Sequence, residues 1–277
     1  MVLPEYSLSL LIWIVPIGIF TTFFIWKRLL SPEKIAALTI TIVLLAAIGC
    51  ILDLLFAHLF FVFPNRQMIF GVMLFDIPIE EFIFYITGFW FILLLYVFCD
   101  EYWLVRYNVP DKRYIRYRSH LHRMLFLNFR GFLWGGGLIV SGCLIKRYIN
   151  PEGLLLPGYF IFLTVLAYTP MILFHRVTRK FVNWPAFTVS LLTTLLLSII
   201  WEVTLALPRG YWGYHEGAMM GIFIGVWSNL PIEAVSVWIF CSLVILVYEF
   251  LKIRFFTPVP NVPAYRLLLK VGREREG

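Results

Sequence analysis

The stretch FDIPIEEFIFYITGFWFILLLYVFC, residues 75–99, holds three acids within its first seven residues and then runs from Phe82 to Cys99 without a charge. A helix of about 20 apolar residues is long enough to cross roughly 30 Å of hydrocarbon. The run does not alternate apolar with polar, so it does not read as a barrel strand. Working outward, similar runs occur at 8–26, 36–61, 128–145, 155–175, 185–207 and 230–251, which makes seven predicted spans with 79–99. Lys27-Arg28 ends the first, and Ser31-Pro32-Glu33 is a helix-start signal for the second. The first run lacks a basic leader and a small-residue cleavage site, so it reads as a span and not as a signal peptide.

Composition agrees. Of 277 residues, 61% are hydrophobic and only 14% charged, against about 25% in soluble domains. This excludes a soluble domain, a disordered chain and a disulfide scaffold. The cysteines (Cys50, Cys99, Cys143, Cys241) sit singly inside apolar runs, with no CxxC or CxxH spacing. Neither a zinc site nor a disulfide framework is signalled. The net charge of +7 lies in the loops. With seven spans, Arg66, Lys146, Arg147 and Arg209 fall on one face and the other 19 Lys and Arg on the opposite one. Removing the glycine-rich fourth span, which carries Gly135-Gly136-Gly137, makes that split nearly even. The positive-inside rule therefore retains it, and puts the N-terminus outside and the C-terminus in the cytoplasm. The basic, aromatic loop 100–127 reads as an interfacial segment on anionic headgroups rather than a nucleic-acid site. The tail 257–277 is polar and proline-rich.

A short motif recurs. Asp76-Ile77-Pro78-Ile79-Glu80-Glu81 opens the third span and Asn229-Leu230-Pro231-Ile232-Glu233-Ala234 the seventh. Asp53 lies 27 residues before Glu80, and Glu202 lies 31 before Glu233. Gly71 in one copy corresponds to Gly221 or Gly225 in the other. The predicted architecture is all-α: a first three-helix repeat in 1–100, a basic loop and linking helix in 101–153, a second repeat in 154–256, and the tail. The odd linking helix makes the copies parallel, so that Glu80, Glu81, Glu233, Asp53 and Glu202 can converge on one cavity between them.

A carboxyl at the bilayer centre costs about 2.5–3.5 kcal/mol on insertion scales, which favours a functional reason for it. A structural reason also exists. Asp76 or Asn229 could cap its helix, and a first-turn glutamate complements the helix dipole. Two carboxyls in an apolar cavity do not both ionise easily, so one serves as general acid and the other as general base. Aromatic residues surround them: Phe84, Tyr85 and Trp90 in one copy, Trp201, Trp227 and Trp238 in the other. Their π faces suit a carbocation. The chemistry this suggests is proton-initiated rearrangement of a lipid-soluble polyene, without redox balance. No GxGxxG, P-loop or HExxH occurs, so no cofactor or metal is indicated.

The paired Pro-x-Glu motifs at Pro78–Glu81 and Pro231–Ala234, each preceded by an acid-bearing span, resemble the small integral-membrane lycopene cyclases in their fused two-repeat form. The resemblance covers most of 5–255. It implies conversion of the linear ends of lycopene to β-rings, giving γ-carotene and then β-carotene, in the cell (plasma) membrane. It implies membrane lipids as surroundings, and leaves room for a homo-oligomer or contact with carotenoid-pathway enzymes. Ala234 departs from the family pattern, which often has a second acid there. The acid is therefore expected at Glu80 or Glu81, with Glu233 supporting. The competing readings are a parallel-repeat transporter or ion pathway, and a non-catalytic membrane scaffold. A retinal-binding protein would need a mid-span lysine, and the seventh span has only Lys252 at its end.

Overall fold

The computed structural model describes residues 4–109, 129–151, 156–240 and 242–255. The loop expected at 100–127 lies largely outside these residues, as does the tail. Seven long helices form: α1 Glu5–Lys27, α2 Pro32–Phe60, α3 Ile79–Trp103, α4 Phe129–Ile149, α5 Gly158–Thr178, α6 Trp184–Arg209 and α7 Ile232–Ile253. Six are long and apolar enough to cross a membrane; α4 is 21 residues long but is not among the six. Ser31 caps α2 by accepting the Lys34 amide, and Asn183 caps α6 by accepting that of Ala186.

Helices α3 and α7 form the centre. Of their apolar stretches 67% and 62% is buried, against 17–33% in α1, α2, α5 and α6. Apolarity alone does not decide this: α2 has the highest mean hydropathy, 2.8, yet only 22% of its stretch is buried, because lipid covers an apolar face as well as protein does. The two run in the same direction. Tyr96 near the end of α3 donates to Glu249 near the end of α7 at 2.8 Å, and Lys252 of α7 pairs with Asp100 of α3 at 3.3 Å. Tyr96 and Glu249 are 153 positions apart. Pro78 and Pro231 are separated by the same interval. The two residues thus hold equivalent places in the copies and meet across a pseudo-twofold axis.

Helix α4 lies antiparallel along α5. A Cβ on Gly131 would meet Leu173 at 2.7 Å, and one on Gly142 would meet Phe160 at 2.6 Å. The glycine run thus serves close approach of two helices, as small residues do in membranes. Lys146, at the far end of α4, donates to the carbonyls of Gly217 (2.6 Å) and Met219.

The axis end opposite Asp100 is built from short strands. β2 (Met73–Leu74) pairs with β3 (Ile77–Pro78), and β5 (Phe223–Ile224) with β6 (Leu230–Pro231). These hairpins correct the expected caps. Asp76 (φ 65°) and Asn229 (φ 57°) occupy left-handed turns with Phe75 (φ 51°) and Ser228 (φ 54°), and α3 begins after Pro78 with no side-chain cap. Asn and Asp tolerate left-handed backbone, which is why they stand there. A third pair, β1 (Phe61–Val62) with β4 (Gly213–Tyr214), joins the copies directly.

At the other end Asp100, Glu249 and Lys252 are all at most 1% exposed, and Asn183 donates to Asp100 at 3.0 Å. Removing one partner of a buried pair leaves an uncompensated charge. Lys252→Met should therefore destabilise the protein by about 3–5 kcal/mol. Thermal unfolding in detergent measures this, and Asp100→Asn with Glu249→Gln on the Lys252→Met background should recover part of it.

Candidate active site

Between the hairpin ends of α3 and α7 lies a narrow, partly open cavity of about 40 Å³. Its lining contains four pairs of residues related by the repeat: Phe61 with Tyr214, Glu81 with Ala234, Phe84 with Val237, and Tyr85 with Trp238. The cavity therefore sits on the pseudo-twofold axis. Its chemistry is not twofold, because Glu81 faces Ala234. Gly88, Phe89, Tyr159, Trp212 and Glu202 complete the wall.

Glu81 is 5% exposed and accepts the Tyr6 hydroxyl at 2.8 Å. Asp53, 7% exposed, reaches the same region from α2, close enough for its charge to act on Glu81. Tyr85 hydrogen-bonds one Asp53 oxygen, and Oδ2 is buried without a partner among the described residues. Glu202, 3% exposed, begins a widened π turn (Glu202–Ala206) in α6. Three donors converge on it: the Tyr214 hydroxyl and the indoles of Trp212 and Trp238. Burial and the neighbouring Glu202 charge push the Tyr214 phenol up, so it remains a donor.

Of the five carboxylates expected to converge on one cavity, Glu81 and Glu202 line it; Asp53 does not line it but hydrogen-bonds the lining residue Tyr85. Glu80 and Glu233 do not line the cavity. Successive residues on a helix point about 100° apart, and with Glu81 and Ala234 facing inward, the preceding glutamates turn to their own entry loops. Among the aromatics, Phe84, Tyr85 and Trp238 line the cavity. Trp201 stands behind it, stacked on Phe84 at 4.9 Å. Trp90 is half-buried, packs against the core and is not in the lining, and Trp227 sits in the second hairpin loop, 39% exposed.

Sequence reasoning missed Tyr6, Trp13 and Tyr159. Trp13 stacks on Trp238 at 5.4 Å and meets Phe84 and Trp201 edge-on, closing the wall behind them. A signal for the two tyrosines existed: Pro4-Glu5-Tyr6 and Pro157-Gly158-Tyr159 head the first helix of each copy at the same 153-residue interval.

The family model for lycopene cyclase matches residues 6–109 and 158–252, most of the chain, with the gap falling on the joining segment. No curated protein and no solved structure matches. The two matched stretches take in, to within a residue at either end, the six helices that are long and apolar enough to span a membrane among the described residues, together with Asp53, Glu81 and Glu202. The chain belongs to the lycopene cyclase family, integral-membrane enzymes of carotenoid biosynthesis.

Proposed function

We propose that this protein closes the linear end groups of lycopene into β-rings by proton transfer within the axial cavity. The observation that carries the reading is that Glu81 and Glu202 reach one aromatic-walled space from opposite copies. Glu81 delivers a proton to the terminal alkene, with Asp53 sharing that proton beforehand. The resulting carbocation is attacked by a second alkene, forming the ring bond. Glu202, already solvated by three donors, stays anionic beside the migrating positive charge and then takes a proton from the ring. One proton enters the substrate and one leaves, so the product is an isomer and no electron carrier is required. Phe84, Tyr85, Trp212 and Trp238 present π faces to the cation; each such contact contributes about 2 kcal/mol when desolvated. The hairpin end, which bears Arg66, Lys146, Arg147 and Arg209, faces outward across the cell membrane, and the basic end faces the cytoplasm.

Expression in a lycopene-accumulating bacterium should turn the pigment from red to orange, with β-rings appearing on chromatography. Unchanged lycopene with the protein present in the membrane would defeat the reading. Glu81→Gln and Glu202→Gln should each lower the cyclisation rate at least about 10²-fold, the scale of a positioned acid or base, while the protein still folds. Trp238→Ala should lower it by about 30-fold, corresponding to about 2 kcal/mol of lost cation stabilisation. Initial rates in membranes supplied with lycopene measure both.

A further inference from the structure

The two glutamates turned away from the cavity make the same contact in both copies. Glu80 Oε1 accepts the Phe70 amide at 2.5 Å, and Glu233 Oε1 accepts the Met220 amide. Each amide belongs to the residue just before a glycine in left-handed backbone, Gly71 at φ 88° and Gly221 at φ 93°. One residue further on, the carbonyls of Val72 and Ile222 accept the amides of Ile79 and Ile232, both at 3.0 Å. The first turn of α3 and of α7 therefore grips its own entry loop twice, once through the backbone and once through the glutamate. The carboxylates are 1% and 0% exposed.

In the first copy the grip is tied to the cavity. Adjacent residues of α1 hold adjacent residues of α3: Ser7 donates to Glu80 and Tyr6 to Glu81, both at 2.8 Å. Rotation of the first turn of α3 would break the loop bond and swing Glu81 off the lining together. In the second copy the loop carbonyls are held instead by Lys146.

We propose that the two acids of the motif divide the work: Glu80 and Glu233 are positioning residues that latch each loop to its helix as hydrogen-bond acceptors, and they do not transfer the reaction's proton. The activity readouts rest on the cyclase reading, and an exchange readout is independent of it. A glutamine at either position keeps a carbonyl oxygen for the loop amide, whereas an alanine does not. Glu80→Gln and Glu233→Gln should keep cyclisation within about threefold of the parent and leave its pH profile unmoved. Glu80→Ala and Glu233→Ala should lose at least about tenfold. Amide hydrogen exchange at Phe70 should quicken in Glu80→Ala and not in Glu80→Gln, and Met220 should behave likewise for Glu233. Two results would overturn the latch: a glutamine variant that folds, keeps the amide protected and is as inactive as Glu81→Gln, or an alanine variant with full activity and unchanged exchange. Failure of the parent itself to cyclise lycopene would defeat the cyclase reading, leaving the exchange comparison to judge the latch.

Discussion

A carboxyl group inside hydrocarbon must find donors within the protein, because no water is there to supply them. That constraint organises this molecule. Each buried acid at the hairpin end is met by a donor from another segment: Tyr6 for Glu81, the Phe70 amide and Ser7 for Glu80, the Met220 amide for Glu233, Tyr85 for Asp53, Tyr214 for Glu202. The donors come from helix heads and short strands, which explains why so apolar a chain builds two small hairpins where its central helices begin and a third strand pair beyond the ends of α2 and α6. At the opposite end Lys252, Asn183 and Tyr96 do the same for Asp100 and Glu249.

Duplication supplies the frame, and its imperfections supply the chemistry. Equivalent residues meet on the axis at Tyr96 and Glu249 and again where Phe61 pairs with Tyr214. A perfectly repeated chain would place like groups against like, including an acid against an acid. Here Ala234 stands opposite Glu81, and Ile253 holds the place equivalent to Asp100, which pairs instead with Lys252. The wall stays aromatic and apolar while a single carboxyl projects from the motif pair.

Much of this was legible in the residues. The apolar runs predicted six of the long helices to within a few residues, because a run of that length has little alternative in a membrane; the glycine-rich fourth run also forms a helix but is not among the six apolar enough to span. The recurrence of Pro-Ile-Glu revealed the repeat, since Pro78 and Pro231 fix the same backbone entry. The hairpins were not legible. Phe75-Asp76 and Ser228-Asn229 resemble caps in one dimension, and only the positive φ angles show them to be turns. Nor could the sequence say which of Glu80 and Glu81 faces inward, because that depends on how α3 is rotated against α1. Tyr6 and Trp13 escaped notice because an aromatic in a first span is ordinary; their partners lie more than 70 positions away.

The position of the cavity on the dyad has a bearing on what it can accept. A linear polyene with identical termini is palindromic: either tip offers the same atoms in the same order. A chamber with a single set of carboxyls, Glu81 and Glu202, needs no second copy of itself to treat such a molecule, because turning the polyene end for end restores the original encounter. Loss of the duplicate acid at Ala234 therefore need not forfeit either terminus.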